Sequence, residues 1–411
     1  MFTKPSPRAN VKLIAVFPKT NKRGTTLPTE LFEEVGDEIG PEMVVYLYDP
    51  STGMKGVVVI DTTALGPAAG GIRMLPDITT TEIARLARVM TYKFAILNVP
   101  VGGGKAGIWH NPTAPDRDRI ITSFGRVLKP IMKEELYFPG GDMGTSDKDV
   151  EIIFDVAGMK ELRPSGLTLK MKDGMPLEDH LTGFGVVAAA KAACEFADVN
   201  IEGATVAIQG FGKVGGGVAK YMEKAGAKVV AISTIRGAVY NLRGLNVEKL
   251  LEMRKQHGDE AVLRYKDAKP VAKEELFFLP VDVLVPGARP DVINEGNADR
   301  IKAKLISSGA NLPITPEAEE ILFRRGVTSV PDFVANAGGV IAAVVDRTGG
   351  TEKEAFERVE KTITSTTKEV VSAALEEKIN PRAVALRIAK DKTMKAIQKR
   401  KKRRVEPSDF S

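Results

Sequence analysis

The sequence predicts an α/β fold in which helices cover both faces of a parallel sheet. Short apolar strands alternate with helices from about residue 205 to about residue 340, which is the pattern of a doubly wound sheet. The motif Gly210-Phe-Gly212-Lys-Val-Gly215 follows a predicted strand directly and opens a helix. In that context it indicates a dinucleotide site, because its glycines allow a tight turn and close approach of a pyrophosphate to the helix N-terminus.

Apolar periodicity and turn signals place the individual elements around this unit. The helix after the glycine motif ends at Gly226, a favourable C-cap, and a capping box opens an earlier helix at residues 79–82. In chain order, the sequence predicts strands at 44–48 and 56–60, helices from 79, at 116–134 and at 147–158, a helix from about 182 to 194, strands at 205–209, 228–233, 281–285, 304–306 and 328–330, and a helical segment at 352–399 broken at Asn380-Pro381.

Length and composition are those of a globular protein. The 411 residues favour about two or three domains, and 43% hydrophobic with 27% charged residues are ordinary values. No apolar run reaches the roughly 18 residues that span a bilayer, and residues 11–17 are too short a run for a signal peptide. A single cysteine, Cys194, favours a reducing, cytoplasmic location. The histidines at 110, 180 and 257 have no ligand-like spacing, so no metal is expected.

The net charge of +6 is concentrated in one segment. The run Lys399-Arg-Lys-Lys-Arg-Arg404 carries six positive charges, so the rest of the chain is close to neutral. We interpret this run as a solvated, frayed terminus, and nucleic acid is not expected as a partner. Binding of the run to RNA or to an acidic surface is the alternative.

Three polar residues are candidates for chemistry. Lys105 lies in a glycine-rich stretch at 100–107, where backbone can approach a ligand closely and a lysine can react. Asp142, among nearby glycines, could form a proton-transfer pair with Lys105 if the fold brings the two together; the alternative is an Asx-turn residue. Lys93 projects from the apolar stripe of its helix, and periodicity leaves open whether it meets a buried partner or snorkels to solvent.

The residue at the end of the second strand of a dinucleotide unit normally decides between cofactors. An acidic side chain there bonds the ribose 2′-hydroxyl and repels a 2′-phosphate. Here Thr234 stands at that point and Arg236 follows two residues later, so NADP is slightly favoured over NAD. The alternative is an exposed Arg236 unrelated to the ligand.

Eight blocks of the sequence form a recognisable series: Leu65-Gly-Pro-Ala-Ala-Gly-Gly-Ile-Arg-Met74, Met90-Thr-Tyr-Lys93, Gly102-Gly-Gly-Lys105, Gly141-Asp-Met-Gly-Thr145, Leu181-Thr-Gly-Phe-Gly185, Gln209-Gly-Phe-Gly-Lys-Val-Gly215, Ser308-Gly-Ala-Asn311 and 331–340. By these blocks, which match in the family's order, the sequence from about residue 44 to about residue 390 resembles the glutamate, leucine, phenylalanine and valine dehydrogenases. The resemblance implies reversible NAD(P)-dependent oxidative deamination of an L-amino acid to a 2-oxo acid and ammonia, by a homo-oligomer that is expected to be a hexamer.

The resemblance also implies a two-domain amino-acid dehydrogenase fold. We expect an N-terminal α/β substrate-binding and oligomerisation domain at 1–180 and a Rossmann NAD(P)-binding domain at 181–344. C-terminal helices at 345–398 would pack back on the first domain, followed by the basic tail at 399–411.

Roles follow position by position from the same resemblance. Lys105 and Asp142 match the catalytic lysine and aspartate, and Lys93 matches the lysine that binds the substrate α-carboxylate. The implied substrate-binding positions are Ala69, Gly70, Gly71, Lys93, Asn336 and Ala343. The implied cofactor-binding positions are Thr182, Gly210, Phe211, Gly212, Lys213, Val214, Gly215, Thr234, Arg236, Gly287, Ala288, Asn311 and Asn336.

Two positions depart from the glutamate-specific branch. Those members carry a lysine where this chain has Ala69 and a serine where it has Ala343, and together these hold the side-chain carboxylate of glutamate. The sequence therefore favours an apolar substrate. Glutamate dehydrogenase with a rearranged carboxylate site is the alternative within the class, and a nucleotide-binding regulatory or RNA-associated protein is the alternative outside it.

Overall fold

The computed structural model describes residues 28–162 and 177–405, which contain a five-stranded and a seven-stranded sheet. Residues 11–17 and the last part of the predicted basic tail lie outside these ranges. Within them, no helix combines the length and the apolar character needed to cross a membrane.

The strands are β1 (Met43–Asp49), β2 (Met54–Ile60), β3 (Ala68–Met74), β4 (Gly102–Ile108), β5 (Tyr137–Gly141), β6 (Thr205–Gln209), β7 (Lys228–Thr234), β8 (Gly237–Tyr240), β9 (Lys269–Val271), β10 (Val283–Pro286), β11 (Leu305–Ser307) and β12 (Thr328–Val330). The helices are α1 (Pro28–Val35), α2 (Thr80–Ile96), α3 (Arg117–Lys133), α4 (Asp147–Ala157), α5 (Leu177–Cys194), α6 (Lys213–Lys224), α7 (Val247–His257), α8 (Ala261–Arg264), α9 (Pro316–Arg324), α10 (Asp332–Ala335), α11 (Gly338–Arg347), α12 (Glu352–Glu377) and α13 (Pro381–Val405).

The first sheet has the strand order β1-β2-β4-β3-β5. Strand β2 is antiparallel to both neighbours, whereas β3, β4 and β5 run parallel. Alternate residues of β2 are buried on opposite faces: Val57 and Val59 pack in the cluster with α2, and Val58 and Ile60 in the cluster with α3 and α4. Helices thus cover both faces, which explains why β2 is a continuous apolar run rather than an alternating one.

The glycine-rich segments of the first sheet are strands, which the sequence did not predict. Strands β3 and β4 were not predicted, and the predicted loop around Asp142 begins as the strand β5. Glycine is depleted in strands, but here its small size lets α2 lie directly on the sheet. A Cβ atom on Gly103 would stand 2.0 Å from Oγ1 of Thr91 in α2.

The second sheet has the strand order β12-β11-β10-β6-β7-β8-β9. Its first five strands are parallel, and β8 and β9 add an antiparallel edge. The predicted strands at 205–209 and 328–330 are confirmed, while β10 begins two residues later than predicted. That delay follows from Asp282, whose carboxylate accepts hydrogen bonds from the backbone N–H and hydroxyl of Thr205.

Two long helices close the described chain, and they separate at Asn380-Pro381 as predicted. Pro381 is the first residue of α13, where a missing N–H is tolerated. The interpretation of residues 399–404 as a frayed terminus is wrong at its beginning, because α13 continues to Val405. Arg400 forms an ion pair with Glu42 and donates to Oγ1 of Thr63 at 2.8 Å, so this turn is anchored.

Candidate active site

Lys105 and Asp142 are in direct contact. Lys105 lies in β4 and Asp142 directly follows β5, so the two come from the strands on either side of β3. Lys105 Nζ is 2.9 Å from Oδ2 of Asp142, and the lysine is 7% exposed. The sequence predicted a proton-transfer pair on condition that the fold brings these two groups together. The structure meets this condition.

A third charged group, Arg73, completes this cluster and was given no role from the sequence. Its Nε lies 3.2 Å from Oδ2 of Asp142, and its Nη1 lies 2.5 Å from Oε1 of Glu82. Burial alone would raise the pKa of Asp142, but the cations Lys105 and Arg73 lower this pKa below its ordinary value. Asp142 is therefore held as a carboxylate. In the sequence, a role for Arg73 is indicated only by the presence of this charged residue beside the small residues of the 65–74 block.

Gly70 and Gly71 lie in β3 beside this cluster. The pairing of β3 with β4 joins Ala69 to Gly103 and resumes only at Ile72. The fully buried Tyr137 of β5 donates its hydroxyl to the Gly70 carbonyl at 2.6 Å. Gly70 and Gly71 are not among the paired residues, but a Cβ on Gly70 would stand 1.8 Å from the Gly104 carbonyl oxygen, so only glycine fits beside β4 here. Tyr137 fixes the strand from its other side.

Lys93 faces a buried partner, which resolves the two alternatives left by periodicity. Its Nζ donates to Oδ1 of Asn336 at 2.8 Å, and the lysine is 8% exposed. Asn336 lies just after α10 and donates through its amide nitrogen to Oδ1 of Asn311 at 2.9 Å. Lys93 of α2, which packs on the first sheet, thus contacts one residue predicted to bind the cofactor, Asn336, and Asn336 in turn is bonded to a second, Asn311.

The helix that carries Lys93 is pinned at its middle by Asp61. The buried Asp61 carboxylate accepts from Nε of Arg88 at 2.9 Å and from the Thr91 hydroxyl at 2.5 Å. Burial raises the pKa of Asp61 despite these partners. Asp61 connects the end of β2 to α2, which fixes the direction in which Lys93 projects.

The glycine motif forms the expected turn at the carboxyl edge of the second sheet. A Cβ on Gly215 would stand 1.9 Å from the Gly210 carbonyl oxygen, so no larger residue fits there. Gly212 is the N-cap of the 12-residue α6 and has no side chain to occupy the free N–H groups. Phe211 is buried, and Lys213 and Val214 begin the helix. These features fit a dinucleotide pyrophosphate.

The loop after β10 lies next to this turn. The backbone N–H groups of Gly287 and Ala288 donate to Oε1 of Gln209 at 3.1 and 3.0 Å. Gln209 is the last residue of β6, and its role in holding the loop was not foreseen. Thr182 is half-buried in α5, which packs against α6.

The two residues predicted to choose the cofactor differ in their surroundings. Thr234 is buried, and its hydroxyl donates to the Asp259 carbonyl at 2.7 Å. Arg236 is exposed in the turn between β7 and β8. A cation that the sequence did not single out, Arg254 of α7, lies with its guanidinium carbon 5.9 Å from the centre of the Phe211 ring. Its buried Nε has no hydrogen-bond partner among the described residues, and Asp259 is 4.0 Å from its Nη2. The Nε–H of Arg254 is therefore suited to donate a hydrogen bond to an anionic group.

The positions predicted to contact the substrate side chain are small and apolar. Ala69 is half-buried in β3, and Ala343 is half-buried in α11. One turn beyond Ala343, on the same face of the helix, Asp346 is 8% exposed.

Comparisons with known proteins agree with this arrangement. Residues 174–401 match the family model described as Glutamate/Leucine/Phenylalanine/Valine dehydrogenase, and residues 41–159 match the model of the Glu/Leu/Phe/Val dehydrogenase dimerisation domain. A glutamate dehydrogenase of Thermotoga maritima is 40% identical over 296 residues, which cover 69% of this chain and 70% of the relative. A glutamate dehydrogenase of Aeropyrum pernix is 35% identical over 348 residues, covering 80% and 81%.

Solved structures give the same result. The Leu-bound hetero-hexameric glutamate dehydrogenase of Thermus thermophilus superposes with a TM-score of 0.75 at 27% identity, covering 90% of this chain and 95% of that one. The L-tryptophan dehydrogenase of Nostoc punctiforme gives 0.69 at 28% identity, covering 89% and 99%.

Proposed function

The chain belongs to the glutamate/leucine/phenylalanine/valine dehydrogenase family, and from this premise we propose that it deaminates an apolar L-amino acid in preference to glutamate. It is an NAD(P)-dependent oxidoreductase that acts on CH–NH2 donors. The observation that carries the substrate preference is the pair Ala69 and Ala343, which offers a substrate carboxylate neither a cation nor a hydroxyl.

Lys93 and the glycines of β3 orient the substrate. The Lys93 ammonium binds the α-carboxylate in place of its bond to Asn336. A Cβ on Gly70 would stand 3.5 Å from Cγ of Met90, one turn before Lys93 in α2, so the backbone at Gly70 and Gly71 would line the same side of the site. Fixing the carboxylate directs Cα–H towards the cofactor and converts the reaction into an effectively unimolecular step.

Asp142 and Lys105 handle the protons. The nicotinamide, when bound, would supply the hydride acceptor, and Cα gives up its hydride only when the substrate amine is neutral. The Asp142 carboxylate, kept ionised by Lys105 and Arg73, accepts the amine proton. Lys105 then orients the water that attacks the imine carbon and stabilises the oxygen of the adduct. Asp142 returns a proton to the departing amine, so ammonia and the 2-oxo acid are released.

The cofactor is NAD or NADP, and we propose a preference for NADP. The turn at Gly210–Gly215, the N-terminus of α6 and the loop at Gly287 would hold the pyrophosphate. Two observations support binding of a 2′-phosphate: no acid stands at the position of Thr234, and the Nε of Arg254 has no hydrogen-bond partner in the described part of the chain. Thr182, Asn311 and Asn336 would line the nicotinamide end.

We also propose a homo-hexamer in the cytoplasm, divided into domains at about residues 180 and 344. Support for the assembly comes from the match to a dimerisation domain and from the hetero-hexameric relative of Thermus thermophilus. The change from the first to the second sheet falls between β5 and β6, which is consistent with the first boundary.

A panel of L-amino acids, each assayed with NAD and NADP, tests the proposal. An unpaired carboxylate buried beside Ala69 and Ala343 costs several kcal/mol, so kcat/KM for apolar substrates should exceed that for glutamate by about 10²-fold or more. Ala69→Lys combined with Ala343→Ser should shift preference towards glutamate. The matched control, Ala69→Met with Ala343→Val, adds bulk without polar groups and should not. A parent enzyme that prefers glutamate would contradict the proposal and indicate the rearranged site.

A further inference from the structure

Thr145 ends the short loop that begins at Asp142, and its hydroxyl lies between two strands of the first sheet. The hydroxyl accepts a hydrogen bond from the backbone N–H of Asp142 at 3.0 Å and donates one to the Ile72 carbonyl at 2.7 Å. Asp142 directly follows β5, and Ile72 belongs to β3. The backbone of Asp142 is therefore joined to β3 through a side chain that has no role in the chemistry proposed above.

The rest of the loop is fitted to the same strand. The carbonyl of Met143 accepts a hydrogen bond from the N–H of Met74 at 2.9 Å. Gly144 has a φ of +80°, and a Cβ atom on it would stand 2.0 Å from the Met74 carbonyl oxygen. A Cβ on Gly71 would stand 2.7 Å from Cβ of Asp142. Because three successive residues of the loop lie against β3, a shift of the loop would move Asp142 relative to this strand.

Strand β3 is the element that relates Asp142 to its two cations. Arg73 follows Ile72 in β3, and Lys105 lies in β4, which pairs with β3 on the side away from β5. The Asp142 carboxylate meets both cations through one oxygen, Oδ2, which lies 2.9 Å from Lys105 Nζ and 3.2 Å from Arg73 Nε. A displacement of Asp142 away from them by about 1 Å would take both contacts outside the range of about 2.7–3.2 Å in which such hydrogen bonds form.

We propose that Thr145 is a positioning residue, whose hydroxyl holds the Asp142 carboxylate between Lys105 and Arg73 for proton transfer. This inference rests on the proposed role of Asp142 and does not depend on which amino acid is the substrate. A hydroxyl suits this point, because it accepts from the N–H of Asp142 and donates to the Ile72 carbonyl at the same time. A methyl group in its place leaves both backbone groups without a partner, so the loop moves away from β3 to bring them to water.

The kinetics of Thr145→Val, measured with the best substrate of the amino-acid panel, test the proposal. Valine has nearly the shape of threonine but no hydroxyl, and we expect kcat to fall about 10²-fold, the loss that a misplacement of about 1 Å can cause. The KM for the amino acid should change far less, because Lys93 lies in a different element, α2. Thr145→Ser keeps the hydroxyl and should have a kcat close to that of the parent. Thr145→Ala removes the hydroxyl with a smaller side chain, and it should lose as much kcat if the valine variant does not fold.

The acidic limb of kcat/KM gives a second measurement. Several titratable or charged side chains surround Asp142: Lys105 of β4, Arg73 of β3, Tyr137 of β5 and Asp147 of α4, with Glu82 of α2 behind Arg73. The two cations lower the pKa of Asp142, so a carboxylate that has moved away from them is protonated at a higher pH. The limb should therefore move to higher pH in Thr145→Val and stay in place in Thr145→Ser.

Thr52→Val is the matched control. Thr52 is also half-buried, and its hydroxyl also accepts from a backbone N–H, that of Met54 at 3.3 Å, and donates to another residue, Ser123, at 2.9 Å. It lies in the turn between β1 and β2, so its replacement should leave kcat and the acidic limb unchanged. Binding of NADPH, measured by its fluorescence, shows that each variant is folded.

The double variant Asp142→Asn with Thr145→Val shows whether Thr145 acts through Asp142. If it does, Thr145→Val lowers kcat no further once Asp142 has been replaced. Losses that multiply, an unmoved acidic limb in Thr145→Val, or a serine variant as slow as the valine variant would each refute the positioning role. A slow Asp142→Asn with a fast Thr145→Val refutes this role alone. An Asp142→Asn variant that keeps the parent kcat overturns the proposed proton chemistry and the role of Thr145 with it.

Discussion

At the scale of single residues, the carboxylate of Asp142 is shared between two cations that differ in freedom. Lys105 Nζ and Arg73 Nε both approach the same oxygen, Oδ2. Arg73 is also tied to Glu82 in the first turn of α2, whereas Lys105 reaches Asp142 from a strand of small residues. The arginine can hold the carboxylate in place while the lysine turns towards water and substrate.

Replacing Lys105 tests the proposed chemistry most directly. Lys105→Ala should lower kcat by about 10²–10⁴, the usual loss for one placed proton-transfer group. Binding of the reduced cofactor NADPH, measured by its fluorescence, should stay close to that of the parent. Lys55→Ala, which removes an exposed lysine of β2, serves as the control. Turnover within tenfold of the parent would remove Lys105 from the mechanism.

Arg73 should set the acidic limb of the pH profile. It lowers the pKa of Asp142, so Arg73→Gln should raise that pKa, and Asp142 would become protonated at a higher pH than in the parent. The acidic limb of kcat/KM, which reports groups of the free enzyme, should move to higher pH. Tyr137 also faces Asp142 but is neutral, since burial and the charge of Asp142 raise its pKa. Arg73→Lys keeps the cation and should keep the limb; an unmoved limb in Arg73→Gln would show that Asp142 does not titrate there.

Cofactor choice can be traced to one of two arginines. Arg254→Ala should weaken NADP binding about tenfold or more and leave NAD binding unchanged, because a charged partner of the 2′-phosphate is lost. Arg236→Ala should have the smaller effect, since Arg236 is exposed in a turn. Equal weakening for both cofactors in Arg254→Ala would mean that this arginine acts on the fold rather than on the 2′-phosphate.

The sequence was informative about single residues only where a motif carried them. The glycine context marked Lys105 and Asp142, the apolar stripe of its helix marked Lys93, and the resemblance gave the three residues their roles. Arg73, Gln209 and Arg254 were missed because their meaning depends on partners far along the chain: Asp142 is 69 residues from Arg73, and Ala288 is 79 residues from Gln209. Local spacing contains no information about such pairs.

At the scale of elements, α2 connects the two halves of the candidate site. Its first turn carries Glu82, which binds Arg73, and its last turn carries Lys93. The predicted capping box is only half formed: the Thr79 side chain accepts from the Glu82 N–H at 3.1 Å, but the Glu82 carboxylate is directed to Arg73. The sequence located this helix because apolar periodicity is local. It missed β3 and β4 because some of their glycines, such as Gly103, are required by the closeness of α2, which only the folded chain reveals.

The cap on α2 should be measurable in stability. Thr79→Ala removes the acceptor of the Glu82 N–H and should lower the free energy of unfolding by about 1 kcal/mol. Thr79→Ser keeps the hydroxyl and should behave like the parent. Denaturation curves must be compared at one protein concentration, since assembly contributes to the stability of an oligomer. Equal behaviour of the alanine and serine variants would show that the cap contributes nothing.

At the scale of the whole molecule, α13 is attached to both sheets. Near its start, the half-buried Arg382 lies between the buried carboxylates of Glu319 in α9 and Asp332 in α10. Near its end, Arg400 is held by Glu42 beside the first sheet. The break at Asn380-Pro381 and the helical character could be predicted from the sequence, but neither attachment could, because both join residues distant in the chain.

Loss of the first attachment should be severe and dependent on pH. Arg382→Met leaves two buried carboxylates without their cation and should destabilise the protein by about 3–5 kcal/mol. Burial already raises the pKa of Glu319, and removing Arg382 raises it further. The folded variant then binds more protons than the unfolded chain, so its stability should fall as pH rises above the ordinary pKa of a glutamate. Arg387→Met changes another arginine of α13 and removes an exposed pair with Glu377 of α12, so it should cost at most about 1 kcal/mol. A pH-independent loss would contradict this origin.

The hydrogen bond between Lys93 and Asn336 has a consequence for substrate affinity and for product release. On the proposed role of Lys93, the free enzyme already carries an occupant at its carboxylate position, namely the amide oxygen of Asn336. An arriving amino acid exchanges with that amide, so its net affinity is the difference between two bonds rather than the full strength of one. When the reaction ends, the amide competes with the 2-oxo acid for the same ammonium and hastens its departure. The amide of Asn336 thus acts as a weak ligand that displaces the product, and it is covalently tethered and present at every site.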